Sequence, residues 1–174
     1  DAKGLLKSAI RDNNPVLFFE HKYLYRRIKE EVPAGDYTVP IGKAAIRREG
    51  RDLTILSYAA MAHTAMEAAG QLAQEGIDAE VIDLRTLLPL DKDAIMQSVK
   101  KTNKLMVVHE DTRTGGIAGE IAALGCEGAF EDLDGPVVRV TALDTPVPYS
   151  TPLEERFLPN TEKIVTAARE LAKY

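Results

Sequence analysis

The chain predicts an α/β fold of three layers, with a five-stranded, mostly parallel sheet between two layers of helices. Three observations carry that expectation. From Lys43 to the C-terminus, apolar runs of strand length alternate with amphipathic stretches of helical spacing. The inner runs, such as KLMVV, are apolar at successive positions, as strands covered on both faces are. The run KAAIRREG is instead amphipathic and passes through a tight Gly turn into DLTIL, which suits an antiparallel edge strand.

Each element follows in order. DAKGLLKSAIRDNN sets Leu5, Leu6, Ala9 and Ile10 at helical spacing and ends in an Asn pair that stops helices. PVLFFEH has the length of a strand. KYLYRRIKEEVPAGDYTVPIG then runs with little periodicity for about 20 residues, longer than most loops inside one domain. Residues 21–37 therefore read as a linker, 1–20 as the tail of a preceding α/β domain, and 38–174 as a second domain. The first residue is not Met and lies in a helical pattern, which points to a piece of a longer protein.

Within the second domain, DLTILSYA is a buried strand and MAHTAMEAAGQLAQEG an Ala-rich helix stopped by Gly76. AEVIDLRTL is a strand, followed by the helix LDKDAIMQSVKKT with Asp91 as its cap. KLMVVHE leads into the helix GGIAGEIAALGCEG. PVVRVTAL is the last strand, and NTEKIVTAARELAKY closes the chain as a helix capped by Asn160 or Thr161.

Composition narrows the function classes. The net charge is -5 and the basic residues are scattered, which argues against nucleic acid as a partner. No apolar run approaches the roughly 20 residues that a membrane span requires. Cys126 is the one cysteine, so an internal disulfide is impossible and a reducing compartment fits best. It stands in IAALGCEGAF without a basic neighbour, which predicts a buried structural thiol. Three scattered histidines offer no HExxH or paired CxxC spacing for a metal.

Ligands of parallel sheets gather beyond the carboxyl ends of the strands. Here those ends are Ser57-Tyr58, Asp83-Leu84-Arg85, His109-Glu110-Asp111 and Ala142-Leu143-Asp144. His109 is the best acid–base candidate, and its two adjoining carboxylates are expected to raise its pKa. The alternative is a histidine hydrogen-bonded to a loop or a subunit. The glycines of TGG would serve either an anion at a helix N-terminus or close helix packing. His63 belongs to a helix and reads as structural, whereas His21 borders the linker and would face either domain. Ser57, His109 and Asp83 make a triad on paper, but the GxSxG elbow is absent. The segment DTPVPYSTPLEERFLP, stiffened by Pro146, Pro148, Pro152 and Pro159 and carrying Tyr149, reads as a contact loop between subunits or domains.

The stretches NPVLFFEHKYLYR, EEVPAGDYTVPIGKAAIRREGRDLTIL, AEVIDLRTLLPLDKDAI, VVHEDTRTGGIAGEIAA and VTALDTPVPY resemble the beta subunit of thiamine-dependent 2-oxoacid dehydrogenases. That is the decarboxylating component of the pyruvate and branched-chain complexes. The resemblance runs unbroken through the chain. It implies an upstream pyrimidine-binding domain, of which residues 1–20 are the last helix and strand, and a transketolase C-terminal-like domain from about residue 38. It also implies oxidative decarboxylation of a 2-oxoacid, with a slight preference for branched-chain acids, and acylation of a lipoyl group.

Thiamine diphosphate and magnesium belong to the full assembly and are not expected to be bound by this segment alone. The family's catalytic Glu and His lie upstream of Asp1, so no catalytic residue carries over, and the segment alone is expected to be inactive. The implied partners are the alpha subunit, a second beta subunit and the subunit-binding domain of the acyltransferase core. The implied location is a bacterial cytoplasm or a mitochondrial matrix. Candidate interface residues are His109, Glu110 and Asp111, the acidic loop residues Asp132 and Asp134, and Tyr149 and Tyr174. A catalytically silent assembly module, an acetoin-type enzyme and a small enzyme using His109 and Asp111 are the rival readings.

Overall fold

A computed structural model describes residues 1–174. Five strands form one sheet: β1 (Ala45–Arg48), β2 (Leu53–Ser57), β3 (Ala79–Asp83), β4 (Leu105–Thr112) and β5 (Val138–Ala142), in the order β1-β3-β2-β4-β5. β1 is antiparallel to β3, and the remaining pairs are parallel. The edge strand is thus where it was expected, but its partner is not its neighbour in sequence. The chain crosses the start of β3 between β1 and β2. Gly50 lies against the backbone there, where an added Cβ would stand 2.2 Å from the Glu80 amide nitrogen. The amides of Arg51 and Asp52 both donate to the Asp78 carbonyl.

Alternation along the strands splits the core in two. Leu53 and Ile55 of β2, Val81 of β3 and Met106 and Val108 of β4 face one side. They pack under α2 (Ala60–Gln74) and α6 (Thr161–Leu171). Leu56, Ile82 and Val107 face the other side, under α3 (Lys92–Thr102) and α4 (Ile117–Ala129). Asp91 caps α3 by accepting from the Ala94 amide, and Asn160 caps α6 by accepting from Lys163. The caps and the burial stripe therefore agree on where each helix starts.

α1 (Ala2–Arg11) lies against residues 33–39. A Cβ on Gly4 would stand 2.5 Å from a Val39 methyl, and Lys7 pairs with Asp36. Asp1 joins α1 to the sheet through Arg47 and, at 3.2 Å, through Arg85.

Three expectations need correction. Residues 15–20 form no strand; they run without ladder partners, and Leu17 and Phe19 are 85% and 88% exposed. A strand needs a neighbour to pair with, and this sheet is already complete without them. The proline-rich stretch is not wholly irregular, since it contains α5 (Thr151–Phe157), whose Phe157 is buried. Pro152 sits in the first turn, where a missing N–H costs nothing. Cys126 is exposed, not buried. The inward stripe of α4 is Ala118, Ile121, Gly125 and Ala129, and Cys126 falls one position off it.

Candidate functional site

The carboxyl end of β4 and the turn into α4 organise the polar edge of the sheet. His109 ends the buried part of β4 and is wholly enclosed. Its Nε2 accepts the amide of Ala118, in the first turn of α4, at 3.2 Å. Gly116 makes this approach possible, because a Cβ there would lie 2.5 Å from the His109 Cε1 and 2.5 Å from the Thr112 carbonyl oxygen. Gly115 supplies the left-handed bend, at φ +81. The TGG step therefore has a packing duty.

Burial holds the His109 imidazole below its usual pKa. The Asp111 carboxylate pulls the other way but is outweighed, and Arg139 adds to the depression. The expected rise is thus reversed, because enclosure costs the cation more than the neighbouring carboxylate returns. Nor can His109 touch a partner directly, since none of its surface reaches solvent.

The next two residues point elsewhere. Glu110 meets His21, with Oε2 and Nε2 2.7 Å apart, so His21 faces the second domain. Asp111 is exposed and caps its neighbour, accepting the Thr112 amide at 2.8 Å. Beyond the strand, Asp144 accepts from both the amide (2.9 Å) and the hydroxyl (2.8 Å) of Thr114. Those bonds, led by the backbone one, hold its carboxyl below the ordinary range. Arg113 and Arg139 each donate to the other's carbonyl oxygen, at 3.1 and 3.3 Å. These two arginines border an open depression together with Thr114, Gly115, Gly116 and Glu120.

The paper triad does not assemble. The Ser57 hydroxyl donates to the Val108 carbonyl at 3.0 Å, and Asp83 is taken by Arg47 at 2.7 Å. Arg85 donates to the carbonyls of Lys43 and Ala44, both at 3.0 Å. Ser57, Asp83, Arg85, Glu110 and Asp144 are thus already engaged within the chain. No group of three or more His, Cys, Asp or Glu side chains is placed to hold a metal ion. His63 is exposed on α2, and no helix is long and apolar enough to cross a membrane.

The remaining candidates lie in two other places. Tyr149 is fully exposed, and Leu143, Val147 and Leu153 on the same connection are each more than half exposed. The acidic loop is fastened by Asn103, whose side chain donates to the Asp132 carbonyl at 2.7 Å and whose own carbonyl accepts the Asp134 amide at 2.8 Å. The Asp132 side chain is half-buried, and Asp134 is exposed, 3.9 Å from the Lys104 ammonium. Tyr174 packs on Gly135 while staying 68% exposed. Sequence reasoning missed the clamps Thr114–Asp144, Arg113–Arg139 and Asp1–Arg47. Only Asp144 had a signal, its place at the tip of the last strand.

Helices on both faces of a mostly parallel sheet with one antiparallel edge define a three-layer α/β domain. The chain belongs to the family described as "Transketolase, C-terminal domain", matched over residues 42–164. It is 51% identical to the 2-oxoisovalerate dehydrogenase subunit beta of Bacillus subtilis (strain 168), over 100% of this chain and 54% of that protein. From the same organism, the acetoin:2,6-dichlorophenolindophenol oxidoreductase subunit beta is 51% identical over 98% of this chain and 50% of its own length. The pyruvate dehydrogenase E1 component subunit beta is 48% identical, covering 100% and 53%. Among solved structures, a split-gene transketolase described as an inactive beta4 tetramer superposes with a TM-score of 0.70 at 28% identity, over 83% of this chain and 46% of that one. The chain spans about half the length of the curated relatives it matches.

Proposed function

We propose that this chain is the C-terminal, assembly-forming portion of the beta subunit of a 2-oxoacid dehydrogenase decarboxylating component. The observation that carries the reading is the 51% identity, sustained over the whole chain, to a beta subunit of that class. Residues 1–20 are the end of the upstream pyrimidine-binding domain, and the segment after them leads into the second domain. The exposed Leu17 and Phe19 support this, since an unpaired apolar run is what a strand of another sheet looks like on its own.

The complete subunit, joined by its alpha partner and a second beta subunit, oxidatively decarboxylates a 2-oxoacid and acylates the lipoyl group of the acyltransferase. Thiamine diphosphate and magnesium are held outside this segment. The strand tips here do not fit them, because Asp83, Glu110, Asp144 and Arg85 already bind groups of this chain. The relatives at 51% and 48% act in branched-chain, acetoin and pyruvate chemistry by their names, and the branched-chain acids are preferred slightly. The location is the bacterial cytoplasm or the mitochondrial matrix.

The contacts of this segment are its exposed groups. Asp111 and the Tyr149 connection face neighbouring subunits. Asp132, Asp134 and Tyr174 form an acidic, aromatic-edged face for the basic subunit-binding domain of the acyltransferase. Reversing both charges, Asp132→Lys with Asp134→Lys, is expected to slow that association and flatten its salt dependence; unchanged binding kinetics would remove this surface from the proposal.

The deciding experiment for the function adds the alpha subunit to the full-length beta subunit and measures reduction of an artificial acceptor with 2-oxoisovalerate, pyruvate and acetoin. Turnover is expected from the reconstituted pair and none from this segment alone. Oxoacid-dependent turnover by the segment alone would overturn the reading.

A further inference from the structure

One buried group in this domain makes a hydrogen bond whose direction is forced. The Ala118 backbone N–H can only donate, so the His109 Nε2, 3.2 Å away, must be the acceptor. An imidazole that accepts at Nε2 is neutral and carries its single proton on Nδ1. That Nδ1 is itself enclosed and has no partner within the protein.

We propose that His109 is a proton-sensitive lock on the turn between β4 and α4, closed while the ring is the neutral Nδ1–H tautomer and released when Nε2 takes a second proton. A proton on Nε2 would face the Ala118 N–H, donor against donor. It would also put a positive charge at the positive end of a 13-residue helix. The ring has no room to turn away, because Gly116 is packed so close that even a Cβ would stand 2.9 Å from Nε2 and 2.5 Å from Cε1. Charging the ring therefore requires the turn to move.

The groups around the ring do not rescue the cation. From β4, the Asp111 carboxylate and the backbone carbonyls of Asp111 and His109 favour it, while Glu110 is held by His21. From β5, Arg139 opposes the cation. From the segment after β2, the Tyr58 ring lies 6.3 Å away and brings no charge at neutral pH. From α4, Glu120 stands in the first turn but is exposed to solvent. Burial prevails, and the imidazole titrates below its usual range, which agrees with the geometry.

The sign follows from linkage. A histidine charged more easily in the open state than in the closed one contributes stability above its unfolded pKa, near 6.5, and loses it as pH falls through the folded value. Release frees the α4 end of residues 112–117, while Thr114 stays tethered to Asp144. His109 is thus a positioning residue for the surface that carries Asp111 and Arg113. That this surface serves assembly rests on the proposed function; the lock itself does not.

The test uses the chain alone and so separates the two. Two-bond ¹H–¹⁵N spectra of the imidazoles, recorded from about pH 7.5 to 5, are expected to find His109 protonated at Nδ1 and bare at Nε2 at neutral pH. Over the same interval, exchange protection of the Ala118 amide, corrected for intrinsic rates, is expected to fall by up to about tenfold per pH unit between about 6.5 and the folded value. In His109→Asn, whose side-chain oxygen can accept the same amide without titrating, that pH dependence is expected to vanish. An Nε2–H tautomer at neutral pH, or a protection factor independent of pH in the wild type, would overturn the proposal. Neither reading needs the variant to fold.

Discussion

Glu110, at the tip of β4, holds His21 with its Oε2 2.7 Å from Nε2, across 89 positions of sequence. The pair pins the start of the segment that follows residues 1–20 to the carboxyl edge of the sheet. Leu24, three residues on, packs against the α2–α6 side of the core. The short 3-10 turn Lys22–Arg26 is therefore seated, not swinging. Glu110→Ala is expected to remove about 1 kcal/mol of local stability, the usual worth of one partly buried polar bond. Trypsin should then cut near Arg26 and Arg27 about fivefold faster. Equal cleavage rates would mean that Leu24 alone holds the segment.

A second pair bears on the opposite edge. Glu80 of β3 is fully buried, where it accepts from Ser98 at 2.5 Å and pairs with Lys101, which also reaches Glu49. Lys101→Met would leave a buried carboxylate with no counter-charge. A cost of about 3 kcal/mol is expected in urea unfolding, at the low end for a broken buried pair because Lys101 is partly exposed. Adding Glu80→Met should restore most of the loss, since two apolar chains suit that space. A double variant no better than the single would show that the Ser98 hydroxyl, not the ion pair, holds Glu80 and β3 to α3.

Asp91 ties acid stability to a helix cap. Burial works to raise its pKa, but the amides of Ala44 and Ala94 and the Lys43 ammonium outweigh it and hold the carboxyl below the ordinary aspartate range. A depressed folded pKa contributes stability above the unfolded value, near 3.9, and that contribution is lost as pH falls through the folded one. Asp91→Asn keeps a capping oxygen but cannot ionise, so unfolding free energy should lose part of its slope below about pH 4. Asp91→Ala, which removes the cap as well, should cost about 1–2 kcal/mol at pH 7. An unchanged acid limb in the Asn variant would assign the acid sensitivity to other carboxylates.

The legible parts of this fold were those written locally. Short apolar runs between helical stretches gave the five strands, and Asp91 and Asn160 marked helix starts that the caps reproduce. What stayed hidden depended on distance along the chain. Nothing local says that β1 skips β2 to pair with β3; that choice follows from Gly50 letting the chain cross the start of β3. The face of Cys126 turned on a single helical position, which a composition argument about its apolar neighbours does not resolve. At the edge of the sheet, the cluster His109-Glu110-Asp111 was visible as three residues. Their division into one enclosed ring, one clasp and one exposed cap was not. Strand alternation sends neighbours to opposite sides, and the partners of His109 and Glu110 come from α4 and from residue 21.

The two glycines of the TGG turn should both lose stability on change to alanine, to different extents and for separable reasons. Gly115 sits at φ +81 with nothing within 4 Å of a built Cβ. Gly115→Ala therefore meets backbone strain alone, about 1 kcal/mol. Gly116 has an ordinary backbone, at φ -71 and ψ 156, which any residue adopts. Its Cβ, however, would collide with the His109 ring and with the Thr112 carbonyl oxygen, both at 2.5 Å. Backbone cannot yield as a flexible side chain does, so Gly116→Ala should cost about 3 kcal/mol in urea or thermal unfolding. The collision also predicts coupling: in His109→Ala, where the ring is gone, the same Gly116→Ala step should cost less by about 1 kcal/mol. Equal costs in both backgrounds would place the whole penalty on the Thr112 carbonyl and leave the ring free to shift.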